Sequence, residues 1–452
     1  MVNIGFLIER FQAASEKVAL VDGETSITFG ELCAEIILQI TRLTVAGIKS
    51  GEPVILLGDY SKQTIALFLA LVELESILIP LTPNIYHSLG DSLPIVCPRW
   101  RIDSTTPEIL ITQLTPDRAE SDLYQKLQAL HVPGLVMFTS GSSGVPKAVV
   151  HDFSKLLEKF KTTRPAMITI NFLLFDHWGG LNTLLHALSN ACKIVFPAGR
   201  TPESICSLVE KHRIELLPAT PSFLNLLLIS GAFRNYDLGS LKVISYGAEP
   251  MPISTLKGIR KAFPSVELRQ TYGMIELGVL RAKTRTPDSL WVKVGGAGYD
   301  LRVVDGVLQI KADSAMLGYI NEPSPFTEDG YLITGDLVEQ DGEWIKILGR
   351  KSDLINVGGQ KVYPSEVETV VLTIPSVVDA VVYGEPHPLL GKIVCADVLL
   401  DKDSVPAEIR KQIIQACKGK LQAFMVPMKI NFVSNSLQSE RLKRVRSKKV
   451  IN

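Results

Sequence analysis

Nine consecutive residues, Thr139-Ser140-Gly141-Ser142-Ser143-Gly144-Val145-Pro146-Lys147, hold four hydroxyls, two glycines and one lysine. They lie between the apolar run Gly134–Phe138 and the strand-like Ala148–His151. Glycines let backbone come close to a ligand, hydroxyls and amides donate hydrogen bonds, and the ammonium adds positive charge, a combination suited to a polyphosphate. The spacing excludes a Walker A loop, because counting from Gly141 puts Pro146 where the second glycine is required. A Ser/Gly-rich stretch also reads as a plain flexible turn. Its position between two strands, with a proline fixing the exit, favours a working loop.

Further candidates are spread along the chain, and each has two readings. Glu276 is either a hard oxygen ligand for Mg²⁺ or a carboxylate beside the dipole of a helix N-terminus. Asp336, after Gly335, is either an acceptor for a pair of hydroxyls or a turn former. Arg350, at the end of a strand, contacts an anionic ligand or makes a surface ion pair. His177 begins a His-x-x-Gly spacing with Gly180, or it is a core histidine beside a helix-capping Asp176.

The nonapeptide resembles the phosphate loop of the adenylate-forming superfamily, which comprises acyl- and aryl-CoA synthetases, nonribosomal adenylation domains and luciferases. Other segments agree in the order that family requires: Ile27-Thr28-Phe29-Gly30-Glu31-Leu32, Ile79-Pro80-Leu81-Thr82-Pro83-Asn84, Tyr246-Gly247-Ala248-Glu249-Pro250, Gln270-Thr271-Tyr272-Gly273-Met274-Ile275-Glu276, Tyr331 to Asp336, and Gly349-Arg350 followed by Val357-Gly358-Gly359 to Glu368. The resemblance implies ATP, Mg²⁺ and coenzyme A as cofactors. It gives Thr139 to Gly144 and Lys147 to the phosphates. Gly247, Ala248, Glu249, Thr271, Tyr272, Gly273 and Met274 belong to the nucleotide, with Tyr272 stacked on adenine. Asp336 and Arg350 go to the ribose and phosphate region, Glu276 to Mg²⁺, and His177 to the helix where an aromatic gates the acid. Ile275 departs from the pattern, where the family has a threonine at the α-phosphate; losing that donor removes about 1–3 kcal/mol unless Thr271, Ser143 or a water replaces it.

The family ends its small domain with a lysine followed three residues later by an arginine, and Lys443-Arg444-Val445-Arg446 keeps that spacing. Lys443 is therefore the candidate to bridge the carboxylate and the α-phosphate; Arg441, Arg444 and Lys448 are alternatives, since the proline and glycine of the motif are missing. Two half-reactions need two arrangements, which the family reaches by rotating the small domain about a hinge after Gly-Arg, here at Ser352. Rotation brings Gly358 and Gly359 toward the pocket, where they leave space for a pantetheine arm. A register matching Asp176 to the amino-group ligand of amino-acid adenylation domains is the alternative to the CoA-ligase register. The implied partner is a small carboxylic acid, with a carrier protein as the other acceptor; a nucleotide-binding regulator without turnover is the reading from another class. The length resembles that of small acid–CoA ligases such as the 2-succinylbenzoate enzymes.

These residues must be carried by a scaffold, and its class is legible. Strand-length apolar runs alternate with helix-period segments (Pro53–Gly58, Thr64–Glu75, Ser76–Leu81; Lys193–Pro197, Glu203–His212, Ile214–Pro218), which predicts an α/β domain with parallel sheets and helices on both faces. From Gly295 the texture becomes strand and turn, with Asp305-Gly306 and Asp341-Gly342 as hairpin signals. The expected layout is a large adenylation domain over 1–350, with a β-rich subdomain at about 295–350. A small mobile α+β domain follows over 351–452. The 452 residues carry 47 Lys+Arg against 47 Asp+Glu, and neutrality argues against a nucleic-acid binder, leaving the basic stretch Arg441–Lys449 as a solvated tail. The start of the chain does not read as a secretory signal, and the apolar window Thr64–Pro83 is broken by Glu73 and Glu75, so a cytoplasmic protein without a membrane span is expected. Six cysteines without CxxC spacing read as reduced, mostly buried thiols.

Overall fold

The computed structural model describes residues 1–139, 146–280, 282–287, 289–296, 298–401, 405–434 and 437. Local chemistry starts its elements. Thr28 accepts the Glu31 N–H at 3.2 Å while the Glu31 carboxylate accepts the Thr28 N–H at 2.7 Å, a capping box that opens the helix Phe29–Ala46. Ser61 caps Lys62–Glu73, in which every residue from Thr64 to Val72 is buried. A helix apolar on all sides belongs inside the protein, and it is followed by the strand Ile77–Leu81, as the Thr64–Pro83 window led us to expect. Glu73, which interrupts that window, accepts the backbone N–H groups of Val2, Asn3 and Ile4.

Two seven-stranded sheets form the large domain. One runs Glu267–Gln270, Val243–Tyr246, Leu216–Ala219, Thr169–Ile170, Ile194–Phe196, Val18–Asp22 and Thr25–Thr28, parallel except for the last hairpin. The other runs Gly318–Tyr319, Lys147–Asp152, Gly134–Thr139, Ile77–Leu81, Pro53–Leu57, Trp100–Asp103 and Leu110–Gln113, with parallel pairing in its middle and antiparallel pairing at both sides. The antiparallel pairs made by consecutive strands, Val18–Asp22 with Thr25–Thr28, Trp100–Asp103 with Leu110–Gln113 and Gly134–Thr139 with Lys147–Asp152, follow from connections too short for a parallel crossover. Helices Phe29–Ala46, Lys62–Glu73 and Trp178–Ser189 share one core with side chains of both sheets. Other helices cover the outer faces.

The β-rich unit is a six-stranded antiparallel sheet that starts upstream of Gly295, with Ala282–Thr284 and Trp291–Val294 as its first strands. Asp305 and Gly306, with φ of 51° and 75°, form a two-residue turn between Val304 and Val307. In the second hairpin Asp341 pairs with Trp344, so the turn residues are Gly342-Glu343, one position later than the Asp-Gly reading. Leu332–Asp341 is one strand, with Gly335 at φ 74° inside it. Residues 355–433 build a separate five-stranded sheet with its own core and two helices, Pro364–Val371 and Pro406–Lys420. All six cysteines are free and buried, and no helix among the described residues is long and apolar enough to cross a membrane.

Candidate active site

The strands Gly134–Thr139 and Lys147–Asp152, between which residues 140–146 fall in sequence, pair antiparallel with Thr139 opposite Lys147. Asn321 clamps the loop's exit: its Oδ1 accepts the Ala148 N–H at 2.9 Å and its Nδ2 donates to the Pro146 carbonyl at 2.9 Å. Lys147 is held between them, with its Nζ 5.3 Å from the Tyr319 ring centroid and 3.7 Å from the Glu322 carboxylate. The Tyr319 hydroxyl donates to Glu276 Oε1 at 2.8 Å. Glu276 lies in a hairpin loop between Tyr272–Met274 and Gly278–Leu280, closed by the Leu277 N–H on the Met274 carbonyl and by Gly278 at φ 80°. It is therefore on a strand-to-strand turn, and the helix N-terminus reading of Glu276 is replaced.

A second group forms where the β-rich sheet meets this hairpin. Antiparallel register places Asp336 opposite Arg350, and Arg350 Nε lies 2.9 Å from Asp336 Oδ1. The Tyr272 hydroxyl donates to Asp336 Oδ2 at 2.6 Å, and Arg350 also donates to the Thr334 carbonyl at 2.7 Å. Thr334 Oγ1 accepts the Asp336 N–H at 3.0 Å, which fixes the backbone at the carboxylate. Asp336 is 8% exposed. Burial pushes its carboxyl up from the ordinary aspartate value, while Arg350 and then the Tyr272 hydroxyl oppose that rise. Burial, reinforced by the Asp336 charge, pushes the Tyr272 phenol well up, so it stays a donor.

The two groups share one field. The Glu276 charge adds to the upward push on Asp336, and Arg350 acts on both Asp336 and Tyr319. Lys147, Tyr319, Glu276, Asp336, Tyr272 and Arg350, drawn from segments far apart in sequence, thus converge. A cation and a carboxylate face the exit of a hydroxyl-rich loop, and a second carboxylate stands beside an arginine, an arrangement able to hold an anion at one end and a diol at the other.

The remaining sequence candidates have defined places. A side chain at Gly247 would meet Thr271 Oγ1 at 2.4 Å, so Gly247 allows that close approach, and Ala248 takes φ 71°. The Thr271 hydroxyl donates to the Tyr246 carbonyl at 3.1 Å. Glu249 accepts from Ser222 Oγ at 2.6 Å at the start of the helix Pro221–Ser230. Gly273 packs against the Gly278 carbonyl, leaving no room for a side chain, and Met274 pairs with Gly278. His177, not Asp176, caps the helix Trp178–Ser189: its Nδ1 accepts the Gly179 N–H at 3.2 Å, while Asp176 Oδ2 accepts the Thr82 N–H at 3.1 Å. Gly180 abuts the Tyr60 hydroxyl, which accounts for a glycine there. Gly358 and Gly359, with φ of 56° and 87°, form an exposed turn outside the group around Glu276 and Asp336. Ser140, Gly141, Ser142, Ser143, Gly144 and Lys443 lie outside the described residues. Sequence reading missed Tyr319, Asn321 and Glu322; Gly318-Tyr319-Ile320-Asn321-Glu322 carries no periodic signal, and only pairing with Lys147–Asp152 gives it meaning.

An AMP-binding enzyme family model matches residues 101–320, and an AMP-binding enzyme C-terminal domain model matches residues 366–444. The chain belongs to the adenylate-forming superfamily. Among its relatives, the long-chain-fatty-acid–CoA ligase FadD13 of Mycobacterium tuberculosis is 25% identical, with 96% of this chain and 95% of the relative covered. The 2-succinylbenzoate–CoA ligase of Bacillus subtilis is 24% identical over 98% of each chain. In fold, the chain is similar to the anthranilate CoA ligase AuaEII in complex with anthranoyl-AMP, with a TM-score of 0.82, 20% identity, and 98% and 95% of the two chains covered.

A metal in such a site would have to suit the donors present. Among the described residues no group of three or more His, Cys, Asp or Glu side chains is arranged to hold an ion. A single carboxylate such as Glu276 suits Mg²⁺, which is commonly held by one or two carboxylates together with substrate phosphates.

Proposed function

We propose that this adenylate-forming ligase joins a carboxylic acid to coenzyme A at the expense of ATP, through an acyl-adenylate and with release of pyrophosphate. The observation that carries this reading is the convergence of Lys147, the Tyr319–Glu276 pair and the Tyr272–Asp336–Arg350 group at the exit of the loop 140–146. A carboxylate attacking the α-phosphate meets an anion-on-anion barrier, and catalysis consists of cations and donors placed where that charge accumulates. In this reading Asp336 accepts the ribose hydroxyls and Arg350 holds Asp336 in place. Lys147 and the hydroxyls of the loop take the phosphates. Glu276 is the ligand for Mg²⁺, which when bound neutralises phosphate charge.

Lys443 is assigned to the bridge between carboxylate and α-phosphate. The small domain from Lys351 onward then turns about the short segment Lys351–Asp353 to bring Gly358 and Gly359 to the acyl-adenylate for thiol attack. His177 lies at the head of the helix that lines the acid's side of the pocket. The test is acid-dependent exchange of labelled pyrophosphate into ATP over a panel of carboxylic acids, followed by thioester analysis with coenzyme A. Exchange with thioester formation supports the reading. Exchange without thioester points to a carrier-protein acceptor, and ATP binding without any exchange points to a regulator.

A further inference from the structure

We propose that His151 is a positioning residue that ties the strand carrying Lys147 to the loop carrying Glu276. The proposal rests on the reading of Glu276 as the metal-side carboxylate. His151 is fully buried on the strand Lys147–Asp152, and its Nε2 lies 2.7 Å from the Ile275 carbonyl oxygen. A carbonyl only accepts, so Nε2 carries the proton and donates. The imidazole also stacks on Trp178, with ring centroids 6.4 Å apart and an interplanar angle of 18°, which fixes its plane.

Ile275 immediately precedes Glu276, and the loop Ile275–Leu277 is held from outside its own hairpin at each carbonyl. Ile275 O takes the His151 Nε2–H, Glu276 O takes the Met316 N–H at 2.8 Å, and Leu277 O takes the Ser314 hydroxyl at 3.1 Å. Ser314 and Met316 lie just before Gly318–Tyr319, whose tyrosine holds the Glu276 carboxylate. Of these three anchors only His151 belongs to the strand that leaves the phosphate loop. Behind the loop Gly278 packs closely on Trp178, since a side chain there would meet Trp178 Nε1 at 2.9 Å. The His151 bond therefore sets where Glu276 stands relative to Lys147. Removing the donor leaves the Ile275 carbonyl without its partner and releases one side of the loop.

The experiment uses the full chain with His151→Phe, which keeps a ring and loses the donor, and His151→Gln, whose amide restores one. His151→Asn, too short to span the gap, replaces the phenylalanine variant if that protein does not fold. Mn²⁺ binding in the presence of ATP is titrated by electron paramagnetic resonance, and ATP binding is measured separately in chelator. The expected result is Mn²⁺ affinity weakened about tenfold in His151→Phe or His151→Asn, the usual scale for losing a group that orients a metal ligand. ATP binding in chelator should stay unchanged, and His151→Gln should return most of the Mn²⁺ affinity. Wild-type Mn²⁺ affinity in the donor-less variant, or equal loss in the donor-less and glutamine variants, overturns the proposal. If the wild-type chain binds Mn²⁺ no better with ATP than without, the assignment of Glu276 fails instead.

Discussion

Asp336→Asn tests the ribose assignment at a single side chain. In the wild-type chain Asp336 Oδ1 faces Arg350 and Oδ2 faces the Tyr272 hydroxyl, so both oxygens are already oriented by donors. An amide keeps the shape but offers one acceptor oxygen and no charge. Two ribose hydroxyls bound to a carboxylate contribute about 1.5–3 kcal/mol each. Losing one of them and reducing the other to neutral strength removes about 2–4 kcal/mol, or about 30- to 900-fold in ATP affinity. Stability is followed alongside, because the amide also takes away the charge partner of Arg350 and one of the two acceptors at this position. The folded-state pKa of Asp336 is raised, so the wild-type carboxyl contributes stability below the unfolded value and loses it as pH rises through the folded one. The asparagine variant lacks that loss. Calorimetric titration of both proteins with ATP and its 2′-deoxy and 3′-deoxy analogues, alongside melting curves, gives the answer. Wild type should lose affinity for each analogue, and the variant should discriminate them less, because the amide oxygen keeps at most one hydroxyl at neutral strength. A variant that still discriminates the hydroxyls as wild type does would refute the assignment of Asp336.

Three further outcomes follow from the same geometry. Ile275→Thr restores the hydroxyl the superfamily pattern has at this position; the pyrophosphate-exchange rate should rise by about 5- to 150-fold, matching about 1–3 kcal/mol, and an unchanged rate would mean another donor already serves. Asn321→Ala leaves the Ala148 N–H and the Pro146 carbonyl without their clamp and should raise KM for ATP while costing about 1–3 kcal/mol in a denaturant titration; unaltered KM would show that the loop holds its exit unaided. His186 is pushed down to about 4 by burial and then by the nearby Arg164, Lys159 and Arg269 charges. It therefore contributes stability that is present above pH 6.5 and lost as pH falls toward 4, and His186→Gln should flatten the acid limb of the melting temperature against pH between those values.

The parts of the site that depend on local chemistry were readable from sequence. The strands that flank the hydroxyl-rich stretch, Gly134–Thr139 and Lys147–Asp152, and the free buried cysteines stand where residue type alone puts them. What depends on register was not readable. Asp336 meets Arg350 because of the pairing of Leu332–Asp341 with Trp344–Arg350, which includes an irregularity between Leu337 and Val338. Alternation of residue types fixes which face a side chain takes but says nothing of such a shift. Tyr319 and Asn321 reach the loop from more than 170 residues away in sequence, as the Asn321 bonds to Pro146 and Ala148 show. The capping of Trp178–Ser189 by His177 shows a subtler limit: Asp176 has the stronger capping preference, yet Thr82 engages its carboxylate, a partner no local rule supplies.

The central claim is that a carboxylate oxygen becomes bonded to the α-phosphorus of ATP. Supplying an accepted acid with ¹⁸O in both carboxylate oxygens, together with ATP and coenzyme A, and weighing the released AMP by mass spectrometry tests this directly. One ¹⁸O atom per AMP is the predicted result; AMP without label, with label appearing in inorganic phosphate or nowhere, would contradict it.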